Sequence, residues 1–126
     1  MNNAGTRRGS ALVVEDEWLI RMEITDALAE AGWRVTELGS GEAAVELLAT
    51  NAEFDLLVTD IRLSGVITGW DVAERYRAAH SRIVVIYCSG NKADQSRRVS
   101  GSHFLPKPCR IDLLLQLRAP SSAQLP

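Results

Sequence analysis

Three acids, a hydroxyl and a lysine carry the chemistry for which this sequence can be read. Asp60 ends the apolar run Phe54, Leu56, Leu57 and Val58; Glu15 and Asp16 follow Ala11-Leu12-Val13-Val14. Ser89 follows Ile83 to Cys88, and Lys107 follows His103-Phe104-Leu105 across Pro106. Each sits just past a short apolar run, the pattern of a strand buried on both faces. Open α/β sheets place their chemistry at that end of such strands. Singly, each residue has a plain structural reading: Asp opens turns, acids favour helix starts, and a lone lysine is usually solvated. Together they fit one reaction. A carboxylate can attack phosphorus and form an aspartyl-phosphate. The transferred group spreads its charge over three oxygens, so catalysis is mainly positioning and neutralisation. A cation, the Lys107 ammonium and the Ser89 hydroxyl would each answer one oxygen.

The acids need a partner of their own. Three converging carboxylates repel one another and raise one another's pKa. Oxygen-only ligands favour Mg²⁺ (or Mn²⁺), which takes one or two carboxylates and keeps several waters. The acidic loop Glu15-Asp16-Glu17 also argues against a flavin or dinucleotide site, where glycines and free helix N–H groups hold phosphate.

Elements that would bring these residues together can be traced in order. The run Ala11–Val14 is a strand, and Ile20, Ile24, Ala27, Leu28 and Ala31 predict a helix over 18–31, stopped by Gly32. Trp33–Leu38 reads as a second strand. A helix capped by Ser40 runs to about Thr50. Phe54–Thr59 is the third strand, a loop over 62–68 follows, and a helix spans Gly69–Ala79. Ile83–Cys88 is the strongest strand, being β-branched and uninterrupted. Lys92–Val99 is a weak helix, His103–Leu105 a brief strand, and Ile111, Leu114 and Leu115 mark a last helix ending near Arg118. Alternating strands and helices predict a five-stranded parallel sheet in the order 2-1-3-4-5, flavodoxin-like, with helices on both faces. One domain is expected over 11–118, with a flexible arm over 1–10 and a flexible tail over 119–126.

Glu15-Asp16, Asp60, Ser89 and Lys107-Pro108 resemble the signature of the bacterial two-component response regulator, specifically a stand-alone receiver domain. The resemblance runs from about Ala11 to Arg118. It implies Asp60 as phosphoacceptor, and Mg²⁺ held by Glu15, Asp16, Asp60 and the Arg62 backbone carbonyl. It implies Ser89 as the hydroxyl that moves toward the phosphoryl group, and Lys107 as the partner of Asp60 or its phosphate. Phe104 would be the aromatic that turns with Ser89, the Lys107-Pro108 bond would be cis, and Arg62 and Asn91 would tune how long the phosphate lasts. Two departures stand out. Ser64 replaces the usual proline and the loop after Asp60 is one residue longer. Glu15 replaces the commoner Asp.

Bulk properties agree. The chain has 126 residues, 46% hydrophobic and 24% charged, with formal net charge −2. Nothing there points to nucleic acid. No apolar run reaches the roughly 20 residues of a membrane span, and the N-terminus lacks a signal-peptide stretch. The expectation is a cytoplasmic protein, monomer or weak dimer. Cys88 and Cys109 lack zinc-type spacing and read as buried thiols, with a redox role the lesser alternative. The resemblance implies a histidine kinase or histidine phosphotransfer protein as donor. A downstream protein would dock at the face formed by the fourth helix, fifth strand and fifth helix, with no DNA-binding domain expected. Alternatives are a phosphorylation-independent binding module or a phosphate sink or shuttle. A dehalogenase-type phosphatase is disfavoured, because Arg62 stands where a second Asp is needed. Trp18, Trp70 and Val66-Ile67 are candidates for either an interface or ordinary packing. His80 and His103 read as structural or solvated.

Overall fold

Alternation of side chains along the strands divides the core between two faces of one parallel sheet. The computed structural model describes residues 9–90 and 95–109. Its strands are β1 (Gly9–Val14), β2 (Trp33–Leu38), β3 (Leu56–Thr59), β4 (Val84–Ser89) and β5 (His103–Pro106). The helices are α1 (Trp18–Glu30), α2 (Gly41–Leu48) and α3 (Gly69–Ala79). The sheet order is β2-β1-β3-β4-β5, all parallel, as predicted. Leu12, Val14, Leu57, Val85 and Tyr87 point to one face and pack with Ala44 of α2 and Val72, Ala73 and Tyr76 of α3. Ala11, Val13, Leu56, Val58, Ile86 and Cys88 point to the other and pack with Ile24 and Leu28 of α1. The period of two in a strand makes this division unavoidable once both faces are covered.

Helix starts follow their capping residues. The Ser40 hydroxyl accepts from the Ala43 amide at 3.1 Å. Thr68 and Asp71 form a reciprocal capping box at the start of α3, which is why that helix begins where the sequence places it. Gly32 takes φ +101° after α1, a conformation that favours glycine.

Several boundaries differ from expectation. β1 starts at Gly9, because Gly9 and Ser10 pair with Trp33 and Arg34 of β2; the expected arm therefore loses its last two residues to the sheet. β3 opens at Leu56 rather than Phe54, whose ring packs on Tyr76 with centroids 6.3 Å apart. Ile83 is core but precedes β4, since its amide turns back to the His80 carbonyl. α2 ends at Leu48, two residues short of Thr50.

The predicted helix over Lys92–Val99 is not helical at residues 95–99. Arg98 N–H closes a turn on the Gln95 carbonyl, and Val99 N–H donates to the Tyr87 hydroxyl. The first part of that helix, Asn91, and the last helix with the tail lie outside the described residues.

Tyr76 ties the two helices of one face together. Its ring is buried and its hydroxyl donates to the Ala44 carbonyl of α2 at 2.7 Å. Burial pushes the phenol from 10.0 up to about 12. The neutral phenol is thus favoured in the folded state. Its stabilising contribution is complete below pH 10 and is lost as pH rises through about 12. Tyr76→Phe should cost about 1 kcal/mol at neutral pH. It should also remove about 2–3 kcal/mol of the stability loss across that alkaline window. Urea unfolding of both proteins at stepped pH checks this; parallel curves would refute it.

Candidate functional site

The sheet register sets the geometry of the site. Val14 of β1 is opposite Thr59 of β3, so Glu15 and Asp60 leave neighbouring strands at the same level. The ladder continues one residue beyond each strand: Glu15 N–H donates to the Leu38 carbonyl and Asp60 N–H to the Val14 carbonyl. Both acids are therefore fixed at the backbone before their side chains do anything. Ser89 lies opposite Pro106, and Lys107 N–H donates to the Ser89 carbonyl at 3.1 Å. This brings the ends of β4 and β5 to the same edge. The Lys107-Pro108 bond is cis, as expected.

Glu15, Asp16 and Asp60 converge, with one carboxylate oxygen from each within 4.8 Å of the others. Glu15 is 1% and Asp60 7% exposed, while Asp16 is open to solvent. Lys107 Nζ bridges the two buried acids, 2.9 Å from Asp60 Oδ2 and 3.1 Å from Glu15 Oε1. The other Asp60 oxygen, Oδ1, accepts from Ile61 N–H at 2.7 Å. Burial raises the Glu15 pKa, against the lowering effect of the Glu17 N–H and Lys107. Burial works against the Lys107 charge too, but its bonds to Asp60 and Glu15 outweigh it and hold the ammonium above its ordinary pKa.

One ammonium leaves the triad of acids short of neutral. The donor set is all oxygen and opens to water at Asp16, which fits a hard divalent cation. Glu15, Asp16 and Asp60 are the side chains that would hold it. Beside them, Asp60, Arg62, Ser89, Gly90 and Lys107 line a cleft of about 340 Å³. The predicted acids, Ser89, Lys107 and Arg62 thus belong to one site. Phe104 stands back from it, its ring centroid 6.5 Å from that of Tyr87.

Three supports were not read from the sequence. Lys107 reaches Glu15 as well as Asp60, which only the lateral order of strands makes possible. Arg21 of α1 donates to the Glu15 carbonyl at 2.7 Å and pairs with Glu37 of β2 at 2.9 Å. The loop after Asp60 is held by Glu42 of α2, whose Oε2 accepts from Val66 N–H at 2.8 Å and Ile67 N–H at 3.1 Å. Those two bonds, Val66 first, hold the Glu42 pKa down. Gly69 closes the loop by donating to the Ile61 carbonyl. A Cβ there would fall on the Asp60 carbonyl, so close approach demands glycine at this position.

Of the aromatic and apolar interface candidates, Trp70 is core, stacked at a tilt on Tyr87 with centroids 4.8 Å apart. Trp18 is 59% and Val66 86% exposed. No helix among the described residues is long and apolar enough to cross a membrane.

The paired acids make a stability prediction. Lys107→Ala strands two buried carboxylates and should cost about 2–3 kcal/mol, low for a buried pair because Lys107 retains some water contact. Asp60→Asn leaves Lys107 its bond to Glu15 and relieves a repulsion, so it should change stability by less than about 1 kcal/mol. Urea titrations in the presence of a chelator compare them. A larger loss in Asp60→Asn would contradict this reading of the charges.

Comparison with known proteins gives concordant results. The family described as response regulator receiver domain matches residues 11–118. The probable transcriptional regulatory protein TcrX of Mycobacterium tuberculosis is 28% identical over 124 residues, 94% of this chain and 52% of that protein. The chain therefore spans about half the length of the curated relatives it matches first. A response regulator receiver protein from Sinorhizobium medicae superposes with TM-score 0.84 at 31% identity, covering 91% of this chain and 94% of that one. The receiver domain of the hybrid histidine kinase CckA superposes with TM-score 0.75 at 32% identity, over 92% of this chain and all of that domain.

Proposed function

The chain belongs to the response regulator receiver domain family, and on that premise we propose that Asp60 accepts a phosphoryl group from a phosphohistidine and that the acyl phosphate controls protein contacts. The supporting observation is the Asp60 carboxylate at the end of β3, held 2.9 Å from Lys107 Nζ within a cluster of acids. An Asp60 oxygen attacks phosphorus, the P–N bond breaks, and its electron pair returns to the imidazole. With its second nitrogen protonated, that ring leaves neutral. The Ile61 amide orients the carboxylate, Lys107 moves from carboxylate to phosphoryl oxygen, and the Ser89 hydroxyl donates to another. Mg²⁺, held by Glu15, Asp16, Asp60 and the Arg62 carbonyl, would supply charge neutralisation when bound. The donor is a histidine kinase or a histidine phosphotransfer protein. Catalysis is confined to the chain's own phosphorylation and slow self-dephosphorylation, with Arg62 and Asn91 setting the lifetime.

Incubation with acetyl phosphate and Mg²⁺ should add one phosphoryl group, mapped to Asp60 by mass spectrometry. Asp60→Asn or chelation of the metal should abolish the gain. No mass gain in the folded wild-type protein would overturn the proposal.

The signal leaves through Ser89 and Phe104. Phe104 lies against Tyr87, and the Tyr87 hydroxyl accepts from Val99 N–H at 3.1 Å. A phosphoryl group brings about two negative charges to Asp60. Drawing Ser89 toward it would shift Phe104 and the chain between β4 and β5, changing the face offered to a partner. Beryllofluoride should therefore move the amide resonances of Val99 and Phe104. If only residues of the 60–69 loop respond, the coupling is refuted.

A further inference from the structure

The two cysteines share one apolar cluster of the core. β4–β5 pairing sets Cys88 opposite Leu105 and Ser89 opposite Pro106. The chain then turns through Lys107 and Pro108, and Cys109 packs against the apolar cluster that contains Cys88. Both are free thiols in that one cluster, and each perturbs the titration of the other. Cys88 is buried and Cys109 partly open. Each adjoins a residue of the cleft: Cys88 precedes Ser89, and Cys109 follows Lys107 by one intervening proline.

We infer that Cys88 and Cys109 form a reversible intramolecular disulfide when the protein meets a hydroperoxide.

The order of events follows from the environments. The neighbouring Cys109, and then burial, push the Cys88 thiol up. Cys88 in turn brings the Cys109 thiol down. Cys109 is thus the more exposed sulfur and the one favoured as thiolate, the form that attacks peroxide. Its sulfur bonds to one peroxide oxygen and the O–O bond breaks. The departing oxygen keeps the electron pair and takes a proton, leaving an alcohol, or water when the oxidant is hydrogen peroxide. The sulfenic acid on Cys109 is then attacked by the Cys88 sulfur. The S–O bond breaks, and hydroxide leaves as water with the Cys88 proton. Two thiols and one hydroperoxide become a disulfide, an alcohol and a water.

The test uses the full chain and hydrogen peroxide, with thiol titration and peptide mapping as readouts; neither requires phosphorylation, so this inference and the proposed function fail independently. Native wild-type protein should go from two titratable thiols to none while remaining monomeric. A peptide pair linked through Cys88 and Cys109 should appear and vanish with dithiothreitol. Cys88→Ala should yield no linked pair and a Cys109 sulfenic acid that dimedone traps. Cys109→Ser should leave Cys88 titratable under the same dose. Circular dichroism and urea unfolding establish that both variants are folded; if Cys88→Ala is not, Cys109→Ser and the wild-type peptide map decide. Two thiols still titratable in the wild type, or linkage only between separate chains, would overturn the inference.

Discussion

Electrostatic imbalance at the carboxyl edge of the sheet is the constraint on which the structure turns. Backbone hydrogen bonds fix Glu15 and Asp60 on adjacent strands, so their charges cannot separate without unpairing β1, β2 and β3. Lys107 answers both buried acids at once, from a strand two places beyond β3 in the sheet. A parallel sheet suits this arrangement because every strand ends at the same edge, and side chains distant in sequence arrive there together. The price is a buried glutamate whose ionised form is disfavoured by burial. A hard cation at the same edge would relieve that cost, which is the physical link between the fold and the phosphoryl chemistry proposed for it.

Supports for this edge come from three directions. Arg21 joins the Glu15 carbonyl to Glu37, tying α1 to the outer strand β2. Gly69 lets the start of α3 lie directly on the Asp60 backbone. On the other side of the cleft, Arg97 pairs with Asp71 and Glu74 of α3 and fastens the β4–β5 connection to that helix. The buried aromatics Trp70 and Tyr87 and the half-buried Phe104 then run in contact from α3 through β4 to β5. Ser89, which follows Tyr87 by two residues on β4, shares that strand and its rigidity.

Much of this is legible in the sequence. Uninterrupted apolar runs at 11–14, 56–58 and 84–86 read as strands covered on both sides, and the acids and Ser89 lie where those strands must end. The start of α3 at Gly69 is placed correctly, though without the Thr68–Asp71 capping box that fixes it. The sequence misleads where apolar character serves packing without pairing: Ile83 is core and Phe54 packs against the core, both outside the ladders. Residues 95–99 were polar enough for a helix surface, but Tyr87 offers Val99 N–H a hydroxyl, and no local pattern reveals a partner twelve residues away. The double reach of Lys107 and the grip of Glu42 on the loop depend on the lateral order of the elements, which spacing along the chain does not encode.

The Glu42 anchor has an evolutionary corollary. The loop after Asp60 is moored near one end by Gly69 on Ile61 and near its middle by the Glu42 carboxylate on Val66 and Ile67. Ser64, Gly65 and the Val66 side chain stand out in water, with Gly65 at φ +93°. A span pinned in this way can gain or lose a residue in its free arc while the ends stay put. A change of length in that arc is then nearly silent for the Asp60 carboxylate.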